Sequence, residues 1–418
     1  MRREHRERGE RAQAVEAGEP VLAGAVVERG HRAGRGHRGE STGAPPPRAR
    51  RGSGFARRDR RGYAEGVPTS ESPPVDPGRA RDGVAVVTGA GGWLGVNLLR
   101  ALTGTRSRVR CLVHDPAQAP QLALIDDVFD VVVGDVRDPT ALATLFEGVS
   151  AATVFHAAAV IHPAGRTREF FDVNVGGTEL VLDAAVRSGS ARFVHVSSNS
   201  VCGANPGPDD RFTEESPYAP YMGYGQSKEE AERLVARASD RGDLETVVVR
   251  APWFYGPFQP DRQTRFLATA RRGRFPLVGD GSNRRSMVYT QNLVDGLLLA
   301  ASVPAAAGRT YWIADGEPVA MRDVIATVRA AFVAEGMEVS GGSPRMPRLV
   351  GVVAEHVDAL LQRGGRYSQT IHVLGELKDT IACDISRARR ELGYEPQVDL
   401  LEGMRRSIRW CLDHGHAL

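Results

Sequence analysis

Tyr224 and Lys228, four residues apart, are the pair in this sequence with the clearest capacity for chemistry. Apolar residues recur after them at helical spacing, so both side chains are expected on one face of a helix. An ammonium one turn away favours the phenolate of a tyrosine, whose ordinary pKa is about 10, and allows proton transfer to or from an alcohol. The spacing also arises by chance in many helices. However, the chain has only two lysines, Lys228 and Lys378, so an ammonium was kept where a guanidinium would differ chemically.

The composition of the 418 residues, 41% hydrophobic and 25% charged, is typical of a globular protein with a large core. Residues 1–82 hold 18 Arg against 12 Asp plus Glu, a surplus of six that leaves −3 of the total charge of +3 for the remainder. The folded part is therefore not basic, and nucleic acid is not expected as a partner. The sequence contains no run of about 18 apolar residues, so no membrane span is expected. The four cysteines are scattered without metal-ligand spacing, which predicts reduced thiols, a cytoplasmic protein and no metal site.

Residues 1–82 are rich in Arg, Gly, Pro and Ser, which predicts a disordered tail. A nucleic-acid-binding arm is the alternative, but interspersed glutamates and the lack of interleaved aromatic residues disfavour it. A further hypothesis is that this segment is absent from the native protein, because Arg-heavy composition indicates GC-rich coding in which upstream sequence readily stays open.

A strand, a glycine turn and a helix follow one another at the start of the remaining chain. The buried run 84–88 leads directly into Gly89-Ala90-Gly91-Gly92-Trp93-Leu94-Gly95, and an apolar helical pattern follows. Backbone N–H groups at a helix N-terminus can bind a dinucleotide diphosphate, and glycines at 89, 92 and 95 allow its close approach. Glycine spacing alone is common in turns, but after a strand it is typical of a dinucleotide-binding loop.

The ends of the next two predicted strands bear on the choice of cofactor. The strand 109–113 ends at His114-Asp115, where a carboxylate could accept a hydrogen bond from a ribose 2′-hydroxyl. No arginine stands at that strand end to hold a 2′-phosphate, so the sequence favours NAD and leaves NADP open. Asp135 and Val136 follow the strand 131–133, where the carboxylate could bind the adenine amino group or cap a helix.

Three more predicted strands complete the pattern. The run 152–156 ends in His156-Ala157-Ala158, whose small residues would let a flat ring approach the backbone. The run 193–196 leads into Ser197-Ser198, and the run 247–250 leads to Trp253. Strands separated by helices at this regularity predict an α/β fold with a doubly wound parallel sheet. A hydroxyl from the fifth strand and Tyr224 can then converge where a nicotinamide would lie.

With these motifs in order, the chain resembles the extended short-chain dehydrogenase/reductase family, including nucleotide-sugar epimerases and dehydratases and 3β-hydroxysteroid dehydrogenases. The resemblance covers residues 84–412 and includes Asn174-Val175-x-Gly177-Thr178, Tyr255-Gly256-Pro257 and the late run 384–396. It implies that Tyr224 is the general acid/base, that Lys228 lowers its pKa and bonds the nicotinamide ribose, and that Ser198 orients the substrate oxygen. The cofactor contacts it implies are Gly89, Gly92, Trp93, Leu94, Gly95, His114, Asp115, Asp135, Val136, His156, Ala157, Ala158, Asn174, Tyr224 and Lys228.

The same resemblance implies a domain organisation and an oligomer. A Rossmann-type NAD(P)-binding domain is expected at 83–250 and a smaller, mainly substrate-binding domain at 251–418. A homodimer is expected through the helices around 169–188 and 224–238.

The reaction expected from the resemblance is hydride transfer between a nicotinamide and a secondary alcohol. Relatives that eliminate water or decarboxylate usually carry an acid just after the active-site hydroxyl, where this chain has Asn199 and Ser200. Reduction, oxidation or epimerisation is therefore expected. A cofactor-binding protein without turnover is the alternative from outside this class, and the intact Ser198, Tyr224 and Lys228 set argues against it.

Two substrate classes are open. Arg285 falls where nucleotide-sugar members place an arginine on the diphosphate, which puts a nucleotide sugar first. Trp253 would better line a pocket for an apolar alcohol or ketone, as in 3β-hydroxysteroid dehydrogenases. The segment 344–377 has Val350, Val353 and Val357 at roughly helical spacing and resembles that second branch, although core packing explains the stripe equally well.

Overall fold

The computed structural model describes residues 83–126 and 128–418. The predictions for residues 1–82, a disordered tail or a segment absent from the native protein, lie outside the described residues. Strands within the described part are β1 (Val84–Thr88), β2 (Arg108–Val113), β3 (Phe129–Val133), β4 (Thr153–His156), β5 (Arg192–Ser198), β6 (Glu245–Ala251), β7 (Trp253–Tyr255), β8 (Leu277–Val278), β9 (Arg284–Arg285), β10 (Met287–Tyr289), β11 (Arg309–Trp312), β12 (Val319–Ala320) and β13 (Arg345–Met346).

The α-helices of the same residues are α1 (Trp93–Leu102), α2 (Ala119–Leu122), α3 (Pro139–Leu145), α4 (Arg168–Phe171), α5 (Thr178–Arg187), α6 (Met222–Asp240), α7 (Asp261–Arg271), α8 (Thr290–Ser302), α9 (Met321–Ala334), α10 (Arg348–Arg363), α11 (Gln369–Glu376), α12 (Ser386–Leu392) and α13 (Leu400–Asp413). A π-helical turn, Asp172–Gly177, joins α4 to α5. The predicted helix around 169–188 is thus one continuous helical stretch with a widened turn inside it.

The main sheet has seven parallel strands in the order β11-β6-β5-β4-β1-β2-β3. The predicted doubly wound parallel sheet is confirmed. The chain order reverses at β1, which lies between β2 and β4, and ligands bind at such a switch point in open α/β sheets. The seventh strand, β11, comes from beyond residue 250, and the predicted domain boundary there stays a prediction.

Alternation along β1 explains why helices cover both faces of the sheet. Ala85 and Val87 point into the apolar core shared with α1 and α8, whereas Val86 points into the core shared with α3 and α5. All three side chains are fully buried. A strand buried on both faces is a continuous apolar run, which is why this one was recognisable from sequence.

The C-terminal part of the chain adds helices and three two-stranded sheets, β7 with β10, β8 with β13 and β9 with β12. Helices α7, α9 and α13 enclose a third apolar core. The stripe on α10 is not part of a core, because Val353, Val357 and Leu360 are 53%, 39% and 65% exposed. Core packing is therefore not its explanation.

A helix that crosses a lipid bilayer must be about 20 residues long and predominantly apolar. None of the described helices is both long enough and apolar enough to cross a membrane.

Candidate active site

A cavity of about 800 Å³ opens at the carboxyl ends of β1, β4 and β5. It contains residues of the glycine loop at one end and aromatic residues of the C-terminal part at the other. Of the residues predicted from sequence, the cavity brings together Gly89, Gly92, Trp93, Leu94, Gly95, Ala157, Ser198, Tyr224, Trp253 and Arg285.

The glycine loop fits a dinucleotide diphosphate. Gly89 has φ of +69°, and a Cβ atom there would lie 2.7 Å from the backbone nitrogen of Ala158, so the loop and the end of β4 touch only because no side chain intervenes. A Cβ atom at Gly95 would lie 2.2 Å from the carbonyl oxygen of Gly89. Helix α1 has neither a side-chain cap nor an acidic residue in its first turn, so its first N–H groups are available to an anion.

The residues predicted to read the adenosine half lie outside this cavity. Asp115 accepts a hydrogen bond from the backbone N–H of Ala117 at 2.9 Å, and the side chain of His114 is 82% exposed. Asp135 forms an ion pair with Arg137 at 2.6 Å, and that guanidinium and its hydrogen bonds hold the pKa of Asp135 below its ordinary value. Their assigned cofactor contacts stay predictions.

Arg137 was missed in the sequence, where only positions directly at the end of β2 were searched for a basic residue. It follows Asp135 by two residues and pairs with it, and Asp135 lies 3.5 Å from His114 because the ends of β2 and β3 are adjacent in the sheet. A guanidinium is therefore close to the ribose-reading region after all.

Tyr224 lies on α6, and it lines the cavity together with Ser198 at the end of β5. The predicted convergence of these two hydroxyls is thus present in the structure. Burial raises the pKa of Tyr224 to about 12, while the Ser198 hydroxyl and the charge of Arg262 act in the lowering direction. The sequence predicted a phenol pKa below the ordinary value, so the direction of the net shift is a correction.

Lys228 lies below the cavity with 2% of its surface exposed. Its ammonium donates to the carbonyl oxygen of Val196 at 2.8 Å and lies 3.2 Å from Nε2 of His195. Burial lowers the pKa of Lys228 to about 8, and the nearby Glu232 carboxylate opposes this. The ammonium donates to β5, and Lys228 is not among the groups that shift the pKa of Tyr224.

His156 and Asn174, both predicted to contact the cofactor, are buried and brace the elements around the site. The imidazole of His156 lies 2.8 Å from the hydroxyl of Thr88 and 2.9 Å from that of Thr178, which connects β4 to β1 and α5. Burial lowers its pKa to about 3. Asn174, in the π-helical turn, accepts from the backbone N–H of Val160 at 2.8 Å and donates to its carbonyl at 3.0 Å.

Val136 and Ala158 do not line the cavity, and each packs closely against a glycine. A Cβ atom at Gly177 would lie 2.6 Å from Cγ2 of Val136, and Ala158 approaches Gly89. Small residues at these points let helix, loop and strand pack closely around the cofactor end of the cavity.

Trp253 and Arg285 both reach the substrate end of the cavity but in different settings. Trp253 donates to Oε1 of Gln263 at 3.3 Å and packs edge-on against Phe266 with ring centroids 4.9 Å apart. Arg285 is 7% exposed and donates to the backbone carbonyl oxygen of Glu376, and its Nε has no partner among the described residues.

Arg262 and His162 were not found from sequence, although both line the cavity. Arg262 lies on the first turn of α7, and His162 lies in the loop after β4 and contacts the hydroxyl of Tyr367 at 2.6 Å. In a chain with this many arginines, no sequence signal separates Arg262 from a solvated one.

Comparisons with known proteins agree with this geometry. A family model described as "NAD dependent epimerase/dehydratase family" matches residues 85–314. The uncharacterized protein y4nL of Sinorhizobium fredii is 43% identical over 346 residues, which cover 80% of this chain and 96% of that protein. The 2-alkyl-3-oxoalkanoate reductase of Stenotrophomonas maltophilia is 32% identical over 336 residues, which cover 77% of this chain and 97% of that enzyme.

Among solved structures, DesIV, a dTDP-glucose 4,6-dehydratase from Streptomyces venezuelae with NAD and TYD bound, aligns with a TM-score of 0.63 and 25% identity. The alignment covers 79% of this chain and 97% of DesIV. The fold is thus that of a known group of enzymes. The chain belongs to the NAD-dependent epimerase/dehydratase family, the extended short-chain dehydrogenases/reductases, whose members are oxidoreductases and epimerases.

Proposed function

We propose that this protein is an NAD(P)-dependent oxidoreductase that transfers hydride at a secondary alcohol or ketone on an apolar skeleton. The observation that carries the proposal is the cavity wall beyond Ser198 and Tyr224, where aromatic and aliphatic side chains predominate. A wall of this kind favours a ring or an alkyl chain over a hydrated sugar. The apolar residues on it are Trp253, Phe254, Phe266, Phe275, Val373, Leu377 and Ile381.

This order of substrates reverses the one suggested by the sequence, which placed nucleotide sugars first because of Arg285. The Arg285 guanidinium already donates to the Glu376 carbonyl, so part of the fork that would hold a diphosphate is engaged. The relative from Stenotrophomonas maltophilia is named for a 3-oxoalkanoate with a 2-alkyl branch, a keto acid whose alkyl groups also support a substrate with an apolar skeleton.

A nucleotide sugar is the second candidate, and one feature of Arg285 favours it. Its buried Nε has no hydrogen-bond partner among the described residues, and an anionic oxygen would satisfy it. The DesIV structure, which holds TYD, is consistent with this candidate.

The proposed reaction requires hydride transfer, proton transfer and positioning of the substrate oxygen. A bound nicotinamide cofactor would accept or supply the hydride. Tyr224 would take the hydroxyl proton during oxidation and return it during reduction, and Ser198 would hold the substrate oxygen beside the phenol. Lys228, whose ammonium donates to the Val196 carbonyl oxygen, would supply a buried positive charge near the hydroxyls of Tyr224 and Ser198.

For the cofactor, NAD is proposed over NADP on the basis of Asp115 at the end of β2. Arg137, two residues after Asp135, is the group that could instead hold a 2′-phosphate. Competitive titration of NADH against NADPH tests the choice, and tighter NADPH binding that is lost in Arg137→Ala would reverse it.

The test of the proposed reaction is turnover with a panel of hydrophobic hydroxy compounds and ketones set against UDP- and dTDP-sugars. Hydrophobic substrates are expected to be turned over, and Tyr224→Phe should reduce their turnover by about 10²–10⁴. UDP and dTDP are expected to produce no rise in the thermal midpoint. Turnover of a nucleotide sugar, or its binding with loss in Arg285→Ala, would put the second candidate first.

The predicted homodimer and cytoplasmic location are retained as part of this proposal. Light scattering after size-exclusion chromatography tests the first, and fractionation of the native cell tests the second. A monomeric mass would remove the predicted interface at 169–188 and 224–238.

A further inference from the structure

Arg262 stands out among the charged side chains that line the cavity. Its guanidinium forms no hydrogen bond and no ion pair anywhere in residues 83–126 and 128–418. The contact it does make is with a ring, because its central carbon lies 5.9 Å from the centroid of Trp93. Arg262 is partly buried, and this burial lowers its pKa.

Arg262 lines the same cavity as Tyr224 and His162. Its charge acts to lower the pKa of Tyr224 on α6, of His162 in the loop after β4, and of Tyr367 between α10 and α11. Its charge therefore acts on groups from three different segments of the chain. Glu169 and Glu376 also line the cavity, yet neither forms an ion pair with it in the described structure.

A second polar group in the same wall is also unsatisfied. Gln263, adjacent to Arg262 on α7, lines the cavity with 4% of its surface exposed. Its Oε1 accepts from Trp253, and its Nε2 is buried with no partner in the described part of the chain. Arg262 and Gln263 are thus two neighbouring side chains on α7 with donor groups that have no acceptor among the described residues.

We propose that Arg262 binds a carboxylate of the substrate, so that the preferred substrate is an acid whose hydroxyl or keto group lies within a few bonds of the carboxylate. A planar guanidinium matches the two oxygens of a carboxylate, and a site shielded by Trp93 strengthens such a bond. Because Arg262 and Tyr224 line the same cavity, an anion held by Arg262 would share that cavity with the reacting oxygen. The apolar wall then receives the rest of the acid.

This inference rests on the proposed function. Two measurements, one of binding and one of turnover, distinguish a failure of the inference from a failure of the proposed function. The probes are 3-hydroxydecanoate and its methyl ester, which differ in charge and share the alcohol and the alkyl chain. Binding is measured in the presence of NADH, with which an alcohol cannot be oxidised. Turnover is measured separately as NADH formation from NAD.

The acid is expected to bind roughly 10- to 100-fold more tightly than the ester, the range for one charge-assisted contact. Arg262→Gln should abolish this preference by weakening the acid alone, and Arg262→Lys should restore it in part. Arg265→Gln, one turn along the same helix and exposed, is the matched control and should keep the full preference.

Two outcomes would overturn the inference. Equal binding of acid and ester by the unmodified protein would show that no cation binds the substrate carboxylate. Turnover of both probes in that case would still support the proposed function. Weaker NADH binding by Arg262→Gln without any second ligand would show that the guanidinium holds the cofactor diphosphate instead. Acid binding that depends on Arg262 without turnover of either probe would support the anion site and count against the proposed reaction.

Discussion

The ammonium of Lys228 lies 3.2 Å from Nε2 of His195, and both groups are buried. Burial lowers the pKa of His195 well below its ordinary value, so the imidazole is neutral and accepts a hydrogen bond from the ammonium. The two residues come from β5 and α6, which meet at this point. We infer that His195 helps to keep a buried lysine charged.

The first prediction concerns the ionisation of Lys228. In His195→Phe the ammonium loses an acceptor, so its pKa should fall further below about 8. With only two lysines in the chain, carbon-13 labelling of lysine resolves both in a pH titration, and Lys228→Arg assigns the signals. A Lys228 midpoint at the ordinary value of about 10.4 would contradict the burial argument.

The same shift has a consequence for stability. Between about pH 8 and about pH 10 the unfolded chain keeps a proton on Lys228 that the folded chain has released. The unfolded state therefore binds more protons, and the contribution of Lys228 to the free energy of unfolding should increase with pH across this window.

The second prediction is the pH dependence of alcohol oxidation. The phenolate of Tyr224 is the base, and burial puts the phenol pKa at about 12, so oxidation should accelerate with pH by up to about tenfold per unit. Ser198→Ala removes a hydrogen bond that lowers this pKa and should shift the rise to higher pH. Tyr224→Phe should abolish it.

Tyr221 supplies the control for that experiment. Its hydroxyl has no hydrogen-bond partner among the described residues, and it lies outside the residues that line the cavity. Tyr221→Phe should leave the pH profile in place, and a profile that survives Tyr224→Phe would remove Tyr224 as the base.

The third prediction concerns a buried ion pair one turn after Lys228. Glu232 accepts from Arg250 at 2.8 Å and from the hydroxyls of Ser197 and Tyr218, and both ionised side chains are almost fully buried. Glu232→Gln leaves the Arg250 charge without its counterion and should lower the free energy of unfolding by about 3–5 kcal/mol. Denaturant titration measures this change.

Glu229 provides a matched comparison on the same helix, because it pairs with Arg233 at the surface. Glu229→Gln should change stability little, since exposed pairs are screened by solvent. Equal losses in the two variants would mean that the buried pair is no more important than the exposed one.

The fourth prediction separates two glycines of the loop. A Cβ atom at Gly92 would meet only the carbonyl oxygen of Gly89, at 3.1 Å, whereas one at Gly95 would lie within 2.6 Å of two carbonyl oxygens. Gly92→Val should therefore keep the fold and weaken NAD(H) binding, and Gly95→Ala should lower stability as well. Calorimetric titration and thermal unfolding distinguish the two, and unchanged cofactor affinity in Gly92→Val would exclude the loop as the diphosphate site.

The sequence by itself determined the order and type of the elements around the cofactor end. The signals there are local, because a short apolar run such as 84–88, three spaced glycines and a helix bearing Tyr224 and Lys228 each depend on neighbouring residues. The pairing of Ser198 with Tyr224 followed from topology, since strand ends of a parallel sheet meet at one edge.

Only the tertiary structure decided the electrostatics and the substrate end. Whether Arg285 is engaged, whether Arg262 lacks a partner and whether Lys228 contacts β5 depend on groups distant in sequence. The direction of the Tyr224 pKa shift likewise follows from burial, which no spacing of residues encodes. The stripe on α10 has the pattern of a core helix yet lies exposed, because periodicity identifies an apolar face and packing alone decides what covers it.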